Sequence, residues 1–231
     1  MREIFVLKQR LQLLPEKAVY LPDHDLLLVA DVHLGKSEAF QSLGVPIPNH
    51  VNQDTLDRLR TLCDRHSPKT LIVLGDLFHS PRGLDDTILH AWIHFTETCG
   101  AALRVILGNH DRAIAISLDS FEIPFQACPI EYPGLILSHE PVDIPNRVNL
   151  CGHVHPCLRL KTRLDTLRLP CFFLEHPHRL ILPSFGSFTG GYEVRLKPGA
   201  IAYIVAEGAV VPFSGGSQLG HRDSYDTGLM Q

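Results

Sequence analysis

The stretch LIVLGDLFHSPRG, Leu71 to Gly83, runs from four apolar residues into a turn that carries Asp76 and His79. A short run with no polar side chain fits a strand buried on both faces, and the Gly-Asp after it puts a carboxylate at that strand's carboxyl end. The same figure stands on either side. Leu26 to Ala30 leads into Asp31, and Val105 to Leu107 leads into Gly108 and Asn109. Between the first two runs Val51, Leu56, Leu59 and Leu62 recur at near-helical spacing, with Asp54 or Asn52 available as the cap. Asp85 to Thr98 gathers Ile88, Leu89, Trp92 and Phe95 on one side and is followed by Gly100. Strand and helix alternating through about residue 120 predict an α/β layered fold.

The second half reads differently. Leu135 to Leu137, Leu158 to Arg163, Leu169 to Leu174, Leu180 to Leu182 and Ala200 to Val205 are separated by Pro and Gly, which predicts strands with few helices. From Ser214 the chain is rich in Gly and Ser without periodicity and reads as a flexible tail over 214–231.

Composition narrows the function. The 231 residues, 45% hydrophobic, suffice for one domain with its own core, without disulfides or a structural metal. Lys and Arg number 21 against 25 Asp and Glu, a net charge of -4, so contact with nucleic acid has to be local. The first apolar run, Ile4 to Leu7, is too short for a signal core or a membrane span, and a soluble cytoplasmic protein with no membrane partner is expected. Six cysteines without a CxxC pair read as reduced, mostly buried thiols.

The strand ends carry the chemistry. Asp31 and His33 form D-x-H, and side chains two apart on a strand point the same way, so both can reach one ion. Asp76 offers two oxygens that could bridge two cations, or could cap a helix. Gly108-Asn109-His110-Asp111 supplies a neutral oxygen and a histidine whose tautomer an adjacent Asp can hold, although Gly-Asn alone more often marks a turn. His139 follows the run ending at Ser138, and His153 and His155 form H-x-H. Cys151 and Cys157 beside them raise a zinc-thiolate site as an alternative, but their spacing is not that of a zinc finger and it would leave the carboxylates without a role.

In this order D-x-H, GD, GNHD, H and G-H-x-H resemble the calcineurin-like metallophosphoesterase superfamily, over about residues 26–156. The resemblance implies a four-layer αββα sandwich over residues 1–213, with a dinuclear metal site at the strand ends. It assigns Asp31, His33, Asp76 and His155 to one ion, and Asp76, Asn109, His139 and His153 to the other. The implied reaction is phosphoester hydrolysis by in-line attack of a hydroxide bridging the two ions, with His110, oriented by Asp111, as proton donor to the leaving group. Oxygen and nitrogen ligands without thiolate suit Mn, Fe or Zn better than Ca, and Mn is the first expectation from the resemblance.

Finer motifs point toward DNA. GDLFHSPRG resembles the Mre-type and SbcD-type repair nucleases. DVHLGK and LPSFGSFTGG resemble the bacterial ligase-associated DNA-damage-response endonucleases (the PdeM group), which implies a helicase and a DNA ligase as partners and single-stranded DNA or DNA ends as substrate. His79 reads as a substrate contact or as a partner of a ligand, and Lys36, Arg82 and Arg112 as substrate contacts or solvated charges. Arg159, Lys161 and Arg163 alternate with Leu158, Leu160 and Thr162, which makes a track for a phosphate backbone or a charged edge strand. Phe185 and Phe188 read as core residues or as platforms for a stacked base. The competing functions are a phosphatase or small-molecule phosphodiesterase, and a non-catalytic binding module.

Overall fold

The computed structural model describes residues 1–48, 50–115, 123–161, 165–175, 178–187 and 189–215. The expected tail therefore lies, after Gly215, outside the described residues, as do Arg163 and Phe188.

The first sheet contains β1 (Arg2–Val6), β2 (Gln9–Leu14), β3 (Ala18–Leu21), β4 (Leu26–Val29), β5 (Thr70–Val73), β6 (Ala102–Ile106) and β7 (Phe125–Gln126), paired in that order. Neighbours are antiparallel from β1 to β4 and parallel from β4 to β7. α1 (Lys36–Gln41) and α2 (Val51–His66) join β4 to β5, α3 (Asp86–Thr98) joins β5 to β6, and α4 (Asn109–Ala115) follows β6. The second sheet holds β8 (Ile130–Tyr132), β9 (Leu135–Ser138), β10 (Val148–Cys151), β11 (Pro156–Lys161), β12 (Thr166–Glu175), β13 (Arg179–Ile181), β14 (Tyr192–Glu193), β15 (Ile201–Ala206) and β16 (Ala209–Ser214). Among the described residues no helix is long and apolar enough to cross a membrane.

Alternation along the buried strands assigns the layers. Leu27, Val29, Leu71 and Val73 face outward into one core with Leu56, Leu59 and Leu62 of α2 and Trp92 and Phe95 of α3. Leu26, Leu28, Ile72 and Leu74 face inward and meet Leu135, Leu137, Leu150, Phe172 and Leu180 of the second sheet. The outer face of that sheet, with Cys171, Phe173 and Ile204, is covered by Val194 and Ala200. The α/β sandwich is as expected, and its fourth layer is, among the described residues, built from this connecting segment rather than from helix.

Two local readings change. The hairpins of β1 to β3 precede the predicted first strand, the burial of β1 and β2 alternating where that of β4 is continuous. α2 starts at His50 with no side-chain cap. Instead of capping, Asn52 accepts from the Gly35 N–H at 3.0 Å and donates to Glu38 at 2.8 Å, tying α2 to the loop after β4. Asp85 does cap α3, accepting from the Ile88 N–H at 2.9 Å.

The parallel strands β4, β5 and β6, and β9 and β10 in the other sheet, bring their carboxyl ends to one edge of the sandwich. Replacing Phe172, fully buried between the sheets, by Ala should destabilise the protein by about 3–5 kcal/mol in urea unfolding. Asp85→Ala, which removes only a cap, should cost about 1 kcal/mol.

Candidate metal centre

The ligand candidates sit just past the strand ends, and the backbone there is not extended. Asp31 (φ 54°), His33 (51°), Asp76 (52°), His153 (67°) and His155 (52°) all occupy the left-handed region. Non-glycine residues enter it at a cost of about 1–3 kcal/mol each, and such conformations concentrate at functional sites. The same-side display of Asp31 and His33 thus comes from tight turns and not, as expected, from strand alternation. The turns are held by continued pairing: the N–H groups of Asp31, His33 and Leu34 donate to the carbonyls of Gly75, Asp76 and Leu77. From the second sheet, the Phe185 and Gly186 N–H groups donate to the carbonyls of Ala30 and Asp31.

Two motif glycines are set by close approach. A Cβ on Gly75 would lie 2.2 Å from His139 Nδ1, and one on Gly108 would lie 2.1 Å from Asp76 Oδ1.

His139 and His155 are each aimed by a carbonyl. His139 Nδ1–H donates to Leu74 O at 2.9 Å, which leaves Nε2 of the neutral ring with a lone pair. That Nε2 lies 2.9 Å from Asn109 Oδ1 and 3.1 Å from His153 Nδ1, and His153 Nδ1 is 3.0 Å from the same Asn109 oxygen. Asp76 Oδ2 is 3.6 Å from His139 Nε2. His155 Nδ1–H donates to Gly190 O at 3.3 Å, so its Nε2 turns toward Asp31 Oδ1 at 3.3 Å and His33 Nε2 at 3.5 Å. Ligating atoms of Asp31, His33 and His155 form one close group, and those of Asp31, Asp76 and His139 another. The carboxylate common to the two groups is that of Asp31, whereas the resemblance shares Asp76.

The electrostatics call for cations. Asp31 and Asp76 are 0% and 2% exposed, and burial raises the Asp76 pKa above the usual carboxylate range. His33 is pushed down to about 2, by burial first and then by Lys36 and the neighbouring histidines, so its ring is neutral and able to ligate. Around Asn109 Oδ1 two of three converging atoms have only lone pairs to offer and the third carries at most one proton. A divalent ion with oxygen and nitrogen ligands satisfies them together, and the donor set therefore fits the metals its chemistry implies.

His110 stands beside this cluster. Its Nδ1–H donates to His79 O at 2.6 Å, its ring stacks on His79 with centroids 5.2 Å apart, and its backbone N–H donates to Asp76 Oδ1 at 2.9 Å. The expected contact with Asp111 is not made. Asp111, fully buried, accepts from the N–H groups of Leu77 (3.3 Å), Phe78 (3.0 Å) and Gly108 (3.0 Å). It joins the turn after β5 to the turn after β6, which positions Asp76 and Asn109, and burial pushes its pKa up to about 6.

The other candidates divide. His79 lies at the cluster, between His110 and the stacked Phe40, with its pKa lowered to about 4 chiefly by burial. Lys36, half-buried at the start of α1, is close enough for its charge to depress His33 and His79. Arg82 and Arg112 are exposed, as are Arg159 and Lys161 on β11. Arg159 is paired with Glu193 at 2.8 Å, and β11 meets β14 only at Pro156 and Cys157, so these two charges lie on a sheet edge. Phe185 is fully buried in the core with Arg58 over its ring, which removes it as a base platform. Cys151 and Cys157 are buried and belong to none of the metal-competent groups among the described residues, so the zinc-thiolate alternative falls. The carbonyls of Leu74, His79 and Gly190 that aim the rings had no signal in the sequence, because any residue supplies one.

Comparison with known proteins agrees with this geometry. A model of the calcineurin-like phosphoesterase family matches residues 24–178. The crystal structure of Pseudomonas putida nuclease MPE is similar at 34% identity, over 92% of this chain and 99% of that one, with a TM-score of 0.77. No curated protein matches. The matched family span contains all the ligand candidates and His110, and the chain belongs to the calcineurin-like phosphoesterases, enzymes that hydrolyse phosphoesters with metal ions.

Proposed function

We propose that the protein is a dinuclear phosphodiesterase, with manganese as its working metal, that cuts DNA in single strands or at ends during repair. The observation that carries this reading is the convergence of lone pairs from His139, Asn109 and His153 beside the buried carboxylates Asp76 and Asp31. The likeness to a protein described as a nuclease, extending over nearly the whole of both chains, supports a diester as substrate. As the family resemblance implies, Asp31, His33, Asp76 and His155 would hold one ion and Asp76, Asn109, His139 and His153 the other. When bound, such ions polarise phosphoryl oxygens and lower the pKa of a water.

The chain's own groups supply the rest. The His79 carbonyl can only accept, so His110 keeps a proton on Nδ1, and a second, transferable proton resides on Nε2 when the ring is charged. That proton goes to the leaving oxygen of the cleaved ester. The bond to His79 O fixes the ring for this transfer in place of the expected bond to Asp111. Lys36, half-buried at the rim, attracts the anionic substrate.

Supplied with manganese, the protein should cut end-labelled single-stranded DNA and hydrolyse a small phosphodiester. Release of phosphate alone from a 3′-phosphorylated oligonucleotide would replace this reading with a phosphatase, and inactivity on all three substrates with metal bound would favour the binding module. Asp76→Ala should lose bound metal and activity together. His110→Ala should keep the metal content found by elemental analysis and lose about 10²–10⁴-fold in kcat. Gly108→Ala, by driving a methyl group into the Asp76 carboxylate, should weaken metal binding about 10–100-fold in calorimetry without abolishing folding.

A further inference from the structure

On the side of His155 away from Asp31 the surface opens into a cavity of about 250 Å³, whose wall includes Lys17, Cys157, Arg168, Ser187, Thr189 and Gly190. The His155 ring separates it from the ligand cluster, with Nε2 toward Asp31 and Nδ1 on the carbonyl of Gly190. The lining carries two cations and no carboxylate.

Among the described residues neither cation is in an ion pair. Lys17 sits in the turn between β2 and β3 with φ 69°, a conformation that Gly or Asn adopts at less cost. The turn carries its Nζ across to the second sheet, where it donates to Gly186 O at 3.3 Å. Among the described residues no carboxylate pairs with it, and burial together with the nearby Arg58 draws its pKa down to about 7. Arg168 donates from Nη2 to Gly191 O at 2.6 Å, with Cys157 Sγ at 3.6 Å. Its Nε and Nη1 have no bond among the described residues, so part of its donor fork is left for a ligand. Arg168 is also the cross-strand partner of Arg159, whose own charge is paired with Glu193.

A half-buried lysine and an arginine with spare donors, beside hydroxyl groups and glycine backbone, fit a tetrahedral oxyanion. The place of that anion is one imidazole away from where the scissile phosphate has to sit. A polynucleotide presents a second phosphate next to the first, and a small diester does not. Resting on the phosphodiesterase reading above, we propose that this cavity is a second phosphate subsite, in which Lys17 and Arg168 hold the phosphate adjoining the scissile linkage of a nucleic-acid strand. The subsite makes the enzyme favour strands over small diesters and sets the register of the cut.

The test uses the manganese-loaded protein and trinucleotides in which the linkage on one side or the other of the scissile bond is an uncharged methylphosphonate. Neutralising the linkage that occupies the cavity should raise KM about tenfold, and the Lys17→Gln/Arg168→Gln double variant should treat charged and neutral substrates alike. Equal KM values for the wild type on all three substrates, or an equal loss by the variant on charged and neutral ones, would overturn the proposal. Arg168 is exposed, so R168Q alone tests the same ratio should K17Q fail to fold. A second readout does not need turnover: a trinucleotide should shift the amide resonances of Ser187, Gly190 and Gly191, about tenfold more weakly in the double variant. Inorganic phosphate moving the same resonances with equal affinity would mark a site for free phosphate and overturn the strand reading. Absence of any hydrolysis by the wild type would defeat the phosphodiesterase reading instead, while the resonance shifts still decide whether the cavity binds a strand.

Discussion

Two carboxylates with almost no access to water, Asp31 and Asp76, set the terms for the rest of the molecule. An ionised carboxyl group deprived of water needs compensating charge close by. Neither has a lysine or arginine within ion-pair distance among the described residues; what surrounds them is histidine. Their burial is thus sustained by groups that can themselves ligate, and the site is in electrostatic balance only with cations in it. That one requirement explains why His33 is held neutral and why the strand ends of both sheets have to meet.

Meeting is the harder part, because Asp31 and His155 come from different sheets and from distant parts of the chain. The solution is backbone, not side chain. Left-handed turns at five ligand positions swing the side chains over the edge of the sandwich, and main-chain bonds from the 185–186 segment to Ala30 and Asp31 lock the sheets at that place. Conformations of this kind persist only where the surroundings over-determine them. Here the fully apolar contact between the sheets, from Leu26 and Ile72 to Leu137 and Phe172, supplies that rigidity.

How far this was legible depended on whether a residue type has few reasons to be where it is. Asp31, Asp76 and His139 stand after apolar runs, where taken together they point to a site, and the runs themselves showed the parallel strands β4, β5, β6 and β9, whereas β10, interrupted by Asn149, gave no such run. In β1 and β2 the buried Ile4, Val6, Leu11 and Leu13 are separated by exposed Phe5 and by Gln12, so neither strand has the continuous buried run by which β4 and β5 were read. Asp111 was misread for a physical reason: next to His110 in sequence, it follows the start of α4 and turns to three backbone donors instead. Asn52 looked like a helix cap because that is its usual use. Lys17 and Arg168 lie in no motif at all, since a counter-charge left out is not a pattern along a chain.

The two halves of the site therefore obey different rules. Inside, geometry is fixed by carbonyls and by turns that few alternatives could replace, and the chemistry of the metal leaves little freedom in residue type. Outside, at the rim, any cation at the right distance will serve. A ring such as His155 belongs to both halves, with one nitrogen directed to the ligand cluster and the other tied to the wall of the cavity by the Gly190 carbonyl. That single hydrogen bond joins the wall of the cavity to a candidate ligand, so in the proposed reading what occupies the cavity bears on how the centre is aligned. In that reading Lys17 and Arg168 recognise the strand from the cavity wall, while His155, bonded to the same wall, faces the candidate metal centre.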